Sequence, residues 1–347
     1  MKIKLPNISF EVSHECNLNC LYCYNHWKYD NNKLLLLNSY KQAKKTLKKI
    51  LQIADVEHIT FTGGEPLQAE RFLELVLYTR LKGISVSIIT NGVQSEDVYK
   101  QLVDLKVDLF ELPLHSVYSK NHDYLTQYLG SWEKSVRTIK QLIRSKAEVI
   151  AVIVLTKQNC NEVSETLKYI SELGVQRVMI NRLNLGGQGI NSIKKLLLSR
   201  DELTTAYHEI SDKAKELKLT VSSNVGTPIC VLDPKDYRGI RFTFCSFDVL
   251  KRPITLDYTG NLRFCNHSPK VIGNIFKDSL DSIMNSDYVL QWKKITPEFC
   301  KNCKAYDKCK AGCRAASEQM GLPLNSPDPI IKFIAPDMEL LKMLTRS

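Results

Sequence analysis

The chain has 347 residues, 44% hydrophobic and 24% charged, with a formal net charge of +11. That composition supports a sizeable globular core and excludes a disordered or fibrous chain. The charged start MKIKLPNISFEVS has no apolar signal region, and the longest apolar run, VIAVIVL at 149–155, is too short to span a bilayer. A soluble, cytoplasmic protein with no membrane partner is therefore expected.

From residue 8 to about 220, β-rich runs alternate with helix-like stretches. The runs are 8–13, 58–62, 85–90, 109–114, 148–155 and 177–183. In the helical stretch 131–143, Trp132, Val136, Ile139, Leu142 and Ile143 share one face. Six such units predict a parallel sheet with helical crossovers, and six fall short of a closed eightfold barrel. The expected fold is α/β: a partial (β/α)6 parallel barrel. The unusual residues fall just beyond the strand ends, where parallel α/β folds build their chemistry. A cysteine loop follows the first run, GGEP the second, TNG the third, HS the fourth and NLGGQG the sixth.

Beyond about 225 the rhythm fails. Segment 226–330 is rich in Cys, Pro and Gly, with a hairpin expected over 254–265, turning near Thr259–Gly260. The expected division is 1–220 for the barrel and 221–347 for a metal-stapled module with its bridging segment. The lysines are scattered over helical faces, as in KQAKKTLKKI at 41–50, with no basic tract interleaved with aromatics. This favours a solvated surface over a nucleic-acid partner.

Eleven cysteines need a reason. In a reducing compartment, clustered thiols bind metal or carry redox chemistry. Cys16, Cys20 and Cys23 are spaced C-x3-C-x2-C directly after a strand. Four thiolates close a metal site, whereas three leave a coordination position open. Three sulfurs on one loop suit three irons of a cubane; the alternative is a zinc site completed by His14 or His26.

The loop resembles the signature of radical S-adenosylmethionine (SAM) enzymes. The resemblance implies that Cys16, Cys20 and Cys23 ligate a 4Fe–4S cluster whose fourth iron chelates SAM, with Tyr22 beside the adenine. Gly63, Gly64, Glu65 and Pro66 match the family's GGEP segment, which meets the SAM amino group, and Thr90 and Asn91 match its TNG, near the ribose. Asn181 and the glycines at 186–189 resemble the sixth-strand region that lies against SAM. The chain departs at the fourth strand: Pro113 stands where many relatives have a serine that contacts the SAM carboxylate. His115 and Ser116 are then the expected substitutes.

The second half reads Cys245-x14-Gly260-x4-Cys265, then Cys300-x2-Cys303-x5-Cys309-x3-Cys313. The last four alone could be a zinc knuckle. With the hairpin, the whole resembles a SPASM module, which holds one or two auxiliary iron–sulfur clusters. The resemblance assigns Cys245, Cys265 and Cys313 to the nearer cluster and Cys300, Cys303 and Cys309 to the farther. The family's last cysteine, in D-P-x-C, is replaced here by Ile331. Either Asp328 supplies a carboxylate ligand in its stead or the farther cluster is incomplete, and Cys230 is the expected fourth ligand of the nearer cluster. Cys160 reads as structural.

The implied chemistry is reductive cleavage of SAM to a 5′-deoxyadenosyl radical, which abstracts hydrogen from a substrate. A low-potential donor of flavodoxin or ferredoxin type supplies the electron, and the auxiliary clusters can accept one back. The favoured substrate is a ribosomally made peptide or protein that gains a crosslink or an oxidative modification. No extra domain precedes the first strand, so peptide capture is expected to need either a separate leader-binding protein or the barrel surface. The alternatives are formylglycine formation of the anaerobic sulfatase-maturase type, small-molecule chemistry such as tetrapyrrole side-chain oxidation, and a non-catalytic metal-stapled binding protein. Sulfatase maturases carry an aspartate after the hairpin cysteine. Here Asn266 holds that position, leaving His267 as the expected base.

Overall fold

The computed structural model describes residues 2–29 and 39–334. Eleven strands form one sheet: β1 (Asn7–Ser13), β2 (His58–Gly63), β3 (Ser85–Ile89), β4 (Leu109–Pro113), β5 (Val149–Leu155), β6 (Arg177–Arg182), β7 (Thr220–Ser223), β8 (Ile240–Phe242), β9 (Ile254–Asp257), β10 (Asn261–Arg263) and β11 (Val271–Asn274). The order is β8-β7-β6-β5-β4-β3-β2-β1-β9-β10-β11, and every pairing from β8 to β9 is parallel. The order runs from one edge to the other without closing, as in a partial barrel.

Strand alternation sorts the side chains by face. Leu256, Phe10, Phe61, Ile88, Phe110 and Val149 pair in register across six neighbouring strands, all buried. Such a continuous row is the apolar layer that crossover helices cover. One of these, Ser131–Arg144, turns Val136, Ile139 and Leu142 inward, with Trp132 and Ile143 half-buried beside them. Positions offset by one from the row, such as Ser9, Glu11, Thr62, Ser87 and Glu111, face the other way and are polar. The sheet thus has a greasy back and a polar front.

Two features extend the six-strand expectation. β7 and β8 continue the parallel sheet past residue 220, and β9 of the hairpin docks beside β1. The division expected at 220 falls where the same sheet continues, and positions 335–347 of the expected module lie outside the described residues. The hairpin turns where Asp257 Oδ1 accepts from the Thr259 and Asn261 N–H groups (2.8 and 3.1 Å). Gly260 there has φ +93°, and a Cβ would lie 2.6 Å from the Phe276 ring, so glycine is required. Among the described residues no helix is long and apolar enough to cross a membrane.

Candidate active site

β1 ends at Ser13, and the chain leaves it as a tight loop. Glu15 N–H donates to Ser13 Oγ (3.0 Å), Leu18 N–H points to Cys16 Sγ (3.5 Å), and Cys23 N–H donates to Cys20 O (3.2 Å). Cys16, Cys20 and Cys23 are thereby held as neighbours. Burial pushes all three thiols up, Cys20 to about 12, where charge on Cys23 and Cys16 adds to the effect. The Lys28 ammonium, anchored on Leu18 O, opposes this at each sulfur. Three soft donors crowded beside one cation form a site for a positively charged, thiophilic group.

No three His, Cys, Asp or Glu side chains among the described residues are set to hold a metal ion. A cubane is met differently, by thiols spread around a body several atoms wide. His14, a candidate zinc ligand from the sequence, stacks on Trp27 (centroids 4.1 Å apart) and faces Glu11 at 3.6 Å.

The end of β2 is pressed against this loop. Gly64 N–H donates to Ser13 O (2.9 Å) and Glu65 N–H to Glu15 O (2.7 Å). A Cβ on Gly63 would stand 2.2 Å from Ser13 O, and one on Gly64 1.9 Å from Glu15 O. The glycines are thus needed for contact with the cysteine loop itself. Gly64→Ala must push the loop aside, at a cost of about 1–3 kcal/mol. It is expected to lower nucleoside release from SAM about tenfold or more, with far-UV dichroism unchanged; wild-type release would refute this role.

Glu65 joins the second and third motifs. Fully buried, its carboxylate accepts from Thr90 Oγ1 (2.7 Å), Asn91 N–H (2.7 Å) and Leu67 N–H (3.1 Å). Burial nonetheless raises it to about 7. Pro66 opens the short helical turn that follows. Asn91 Nδ2 donates to Asn17 Oδ1 (2.7 Å), tying TNG back to the cysteine loop. The Glu65 carboxylate is therefore taken up within the protein, and what GGEP offers outward is backbone.

The fourth-strand expectation needs correction. His115 is buried: its Nδ1 accepts from Val154 N–H (3.2 Å), and its Nε2 meets the Tyr22 hydroxyl at 2.6 Å. With Nδ1 accepting, the neutral ring carries its proton on Nε2 and donates to Tyr22, whose hydroxyl also reaches Cys20. The rings meet edge to face at 4.5 Å. Ser116 is also buried, its Oγ accepting from Tyr118 N–H (2.8 Å). Both side chains are turned to protein partners, and His115 positions Tyr22. Asn181 turns its Oδ1 to the Asn224 and Val225 N–H groups (2.8 and 3.1 Å), which leaves only its amide nitrogen for a ligand.

The later cysteines gather in two groups. Cys245, Cys265 and Cys313 are mutual neighbours through Cys265, with Arg252 Nη1 3.6 Å from Cys245 Sγ. Cys300, Cys303 and Cys309 line a separate small cavity, and Cys230 lines it with them. Cys230 therefore stands away from the nearer group to which the sequence assigned it. Asp328 is not available as a ligand: fully buried, it pairs with Arg182 and accepts from Cys313 N–H (2.8 Å) and Ile330 N–H (3.0 Å). The expected base, His267, is held by Asn184 through Nδ1 and packs on Tyr24. Burial, with Arg182, Arg252 and Arg263 nearby, lowers it to about 3. A ring held neutral so firmly is a poor proton acceptor.

Several residues that organise the site were not singled out from the sequence. Glu11 on β1 pairs with Arg263 on β10, both buried. Gln319 links three segments: it accepts from Gly187 N–H (2.7 Å) and donates to Tyr24 O (2.9 Å) and His267 O (2.7 Å). A Cβ on Gly187 (φ +49°) would lie 2.6 Å from Cys23 O, so the sixth-strand loop packs on the cysteine loop as well. For Glu11 a signal existed: a charge inside the apolar run ISFEVS demands a partner. Gln319 carries no such signal.

Residues 10–170 match the Radical SAM superfamily, and residues 245–311 match SPASM, an iron–sulfur cluster-binding domain. The chain is 26% identical over 331 residues to the mycofactocin maturase MftC of Mycobacterium tuberculosis, covering 93% of this chain and 81% of that one. It is 24% identical over 341 residues to the PqqA peptide cyclase of Gluconobacter oxydans (95% and 92% covered). With the subtilosin biosynthesis protein AlbA of Bacillus subtilis it shares 28% over 314 residues (87% and 64% covered). Among solved structures, anSMEcpe with bound AdoMet superposes with a TM-score of 0.72 at 18% identity, covering 97% of this chain and 99% of that one. Streptococcus suis SuiB bound to its precursor peptide SuiA gives 0.72 at 16% identity (94% and 75% covered).

Proposed function

From the match of residues 10–170 to the Radical SAM superfamily and of residues 245–311 to SPASM, we propose that the chain is a radical SAM enzyme with a SPASM domain that modifies a ribosomally made peptide or protein by installing a crosslink or an oxidised side chain. When bound, the 4Fe–4S cluster and SAM supply a 5′-deoxyadenosyl radical, which removes hydrogen from unactivated carbon. The observation that carries the peptide assignment is similarity along nearly the whole chain to MftC and PqqA cyclase, a maturase and a peptide cyclase by name.

In this reading Cys16, Cys20 and Cys23 hold the cluster and leave one corner for SAM. Gly63, Gly64 and Pro66 offer backbone to the SAM amino group. Thr90, Asn91 and the Asn181 amide border the ribose side, and Tyr22, braced by His115, lies by the adenine. The Glu65 hydrogen bonds fix the GGEP and TNG segments relative to one another before SAM arrives, which lowers the ordering cost of binding. Cys245, Cys265 and Cys313 on one side, and Cys300, Cys303 and Cys309 on the other, hold auxiliary clusters. A flavodoxin- or ferredoxin-type protein delivers the electron, and a separate leader-binding protein presents the peptide. Formylglycine formation is the weaker reading, because Asn266 donates to the Tyr24 hydroxyl (3.1 Å) and has no carboxylate to take a proton.

Anaerobically reconstituted protein with dithionite is expected to convert SAM to 5′-deoxyadenosine. Co-expression with a short peptide encoded beside its gene is expected to leave that peptide lighter by two hydrogens. No nucleoside would refute the radical assignment. Nucleoside release with an unchanged peptide would overturn the peptide assignment.

A further inference from the structure

The C-terminal half holds seven thiols, of which the spacing pattern assigns six, in two groups of three. Ile331 stands where that pattern requires a cysteine. In the folded chain Ile331 lines the same cavity of about 30 Å³ as Cys300, Cys303 and Cys309, so an aliphatic side chain occupies the wall where a donor is missing. Cys230 enters that cavity from the bridging segment between β7 and β8. Its approach is fixed on both sides. The adjoining Ile229 N–H donates to Cys309 Sγ (3.3 Å), and Pro228 O accepts from Val231 N–H (2.9 Å) in a turn around the cysteine. Arg182 holds the start of the same segment through Gly226 O (3.0 Å) and Thr227 Oγ1 (3.2 Å).

We propose that Cys230 supplies the fourth thiolate to a cluster on Cys300, Cys303 and Cys309, standing in for the cysteine absent at position 331. This rests on the SPASM reading above. Four thiolates close that site, so the far cluster carries electrons and binds no substrate. The count then leaves Cys245, Cys265 and Cys313 with three thiolates. Asp328 cannot complete them, because its carboxylate is bound to Arg182 and two backbone N–H groups. The vacancy among the auxiliary sites thus belongs to the nearer cluster, the reverse of what the missing final cysteine implies.

Iron and sulfide counting on the reconstituted full chain tests this. Wild type is expected to hold roughly twelve irons, and Cys230→Ser roughly eight, with the low-temperature EPR signal of one reduced cluster lost. Adding Ile331→Cys to Cys230→Ser restores a donor to the cavity lining and should return the count to roughly twelve. A Cys230→Ser protein with undiminished iron, or a loss that Ile331→Cys does not reverse, overturns the proposal. Where Cys230→Ser alone does not fold, the double variant carries the test. SAM cleavage by the wild-type protein reports separately on the reading beneath it.

Discussion

Cys20→Ala is expected to reduce 5′-deoxyadenosine release to background, a loss of at least about a thousandfold, or about 4 kcal/mol of transition-state stabilisation. Cys20 is the middle thiol of its loop, influenced by Cys23 and Cys16, with the Tyr22 hydroxyl directed at its sulfur. Removing it takes one of only three donors from the cluster and also removes the sulfur that the Tyr22 hydroxyl reaches, leaving Tyr22 held by His115 alone. Neither Asn17 nor Asn19 offers a thiolate in its place. The variant should lose about four irons per chain and show no spectral response to added SAM, while keeping the wild-type far-UV spectrum. Tyr22→Phe separates the two roles, since it keeps the sulfur and should retain the iron. If Cys20→Ala released nucleoside at the wild-type rate, the cofactor would not sit on this loop.

The N-terminal site was legible because its parts are local in sequence. Each of the first six strands is a short apolar run bounded by turn residues, and each lies within a residue or two of where the pattern places it. The motifs follow strand ends, so reading the strands also located the site. The edges of the sheet were less visible. β7 and β8 have only four and three residues, too few for an alternating pattern to emerge, and they are held by neighbours rather than by their own propensity. The assignment of Cys230 failed for a related reason. It lies closer in sequence to Cys245 than to Cys300, but the bridging segment folds back towards the later cysteines. Asp328 sits at a ligand's position in the motif; only its contact with Arg182, 146 residues earlier, shows that its carboxylate is taken. His115 misled because a polar residue at a strand end reads equally as a ligand or as a brace.

The largest stability effect is expected at the ion pair that joins the hairpin to the first strand. Glu11 and Arg263 are about 2% and 3% exposed in their side chains. Burial alone would raise the Glu11 pKa, but the Arg263 guanidinium, helped by His14, holds it below the ordinary 4.5. Arg263→Met leaves that carboxylate in the interior with only His14 near it, at a cost of about 3–5 kcal/mol. It also frees the Asn266 and Ser268 carbonyls, to which Arg263 donates at 3.3 and 3.1 Å, so the segment following Cys265 loses its brace. The melting midpoint of the anaerobic holoprotein should drop by on the order of 10 °C. Pairing Arg263→Met with Glu11→Leu removes both charges and should recover most of that loss, since a buried ion pair replaced by apolar side chains is often neutral. The pH dependence has a definite sign. A depressed carboxylate contributes its full stabilisation above the ordinary carboxylate range and loses it only as pH falls through the lowered value. In Arg263→Met the guanidinium is gone and burial raises the Glu11 carboxyl instead, so the gap between wild type and the variant should be widest at neutral pH and above and narrow as pH falls and the unpaired carboxyl takes up a proton. A gap that widens as pH falls, or an Arg263→Met midpoint within about 2 °C of wild type at neutral pH, would mean that the pair does not weld the cysteine-rich module to the sheet.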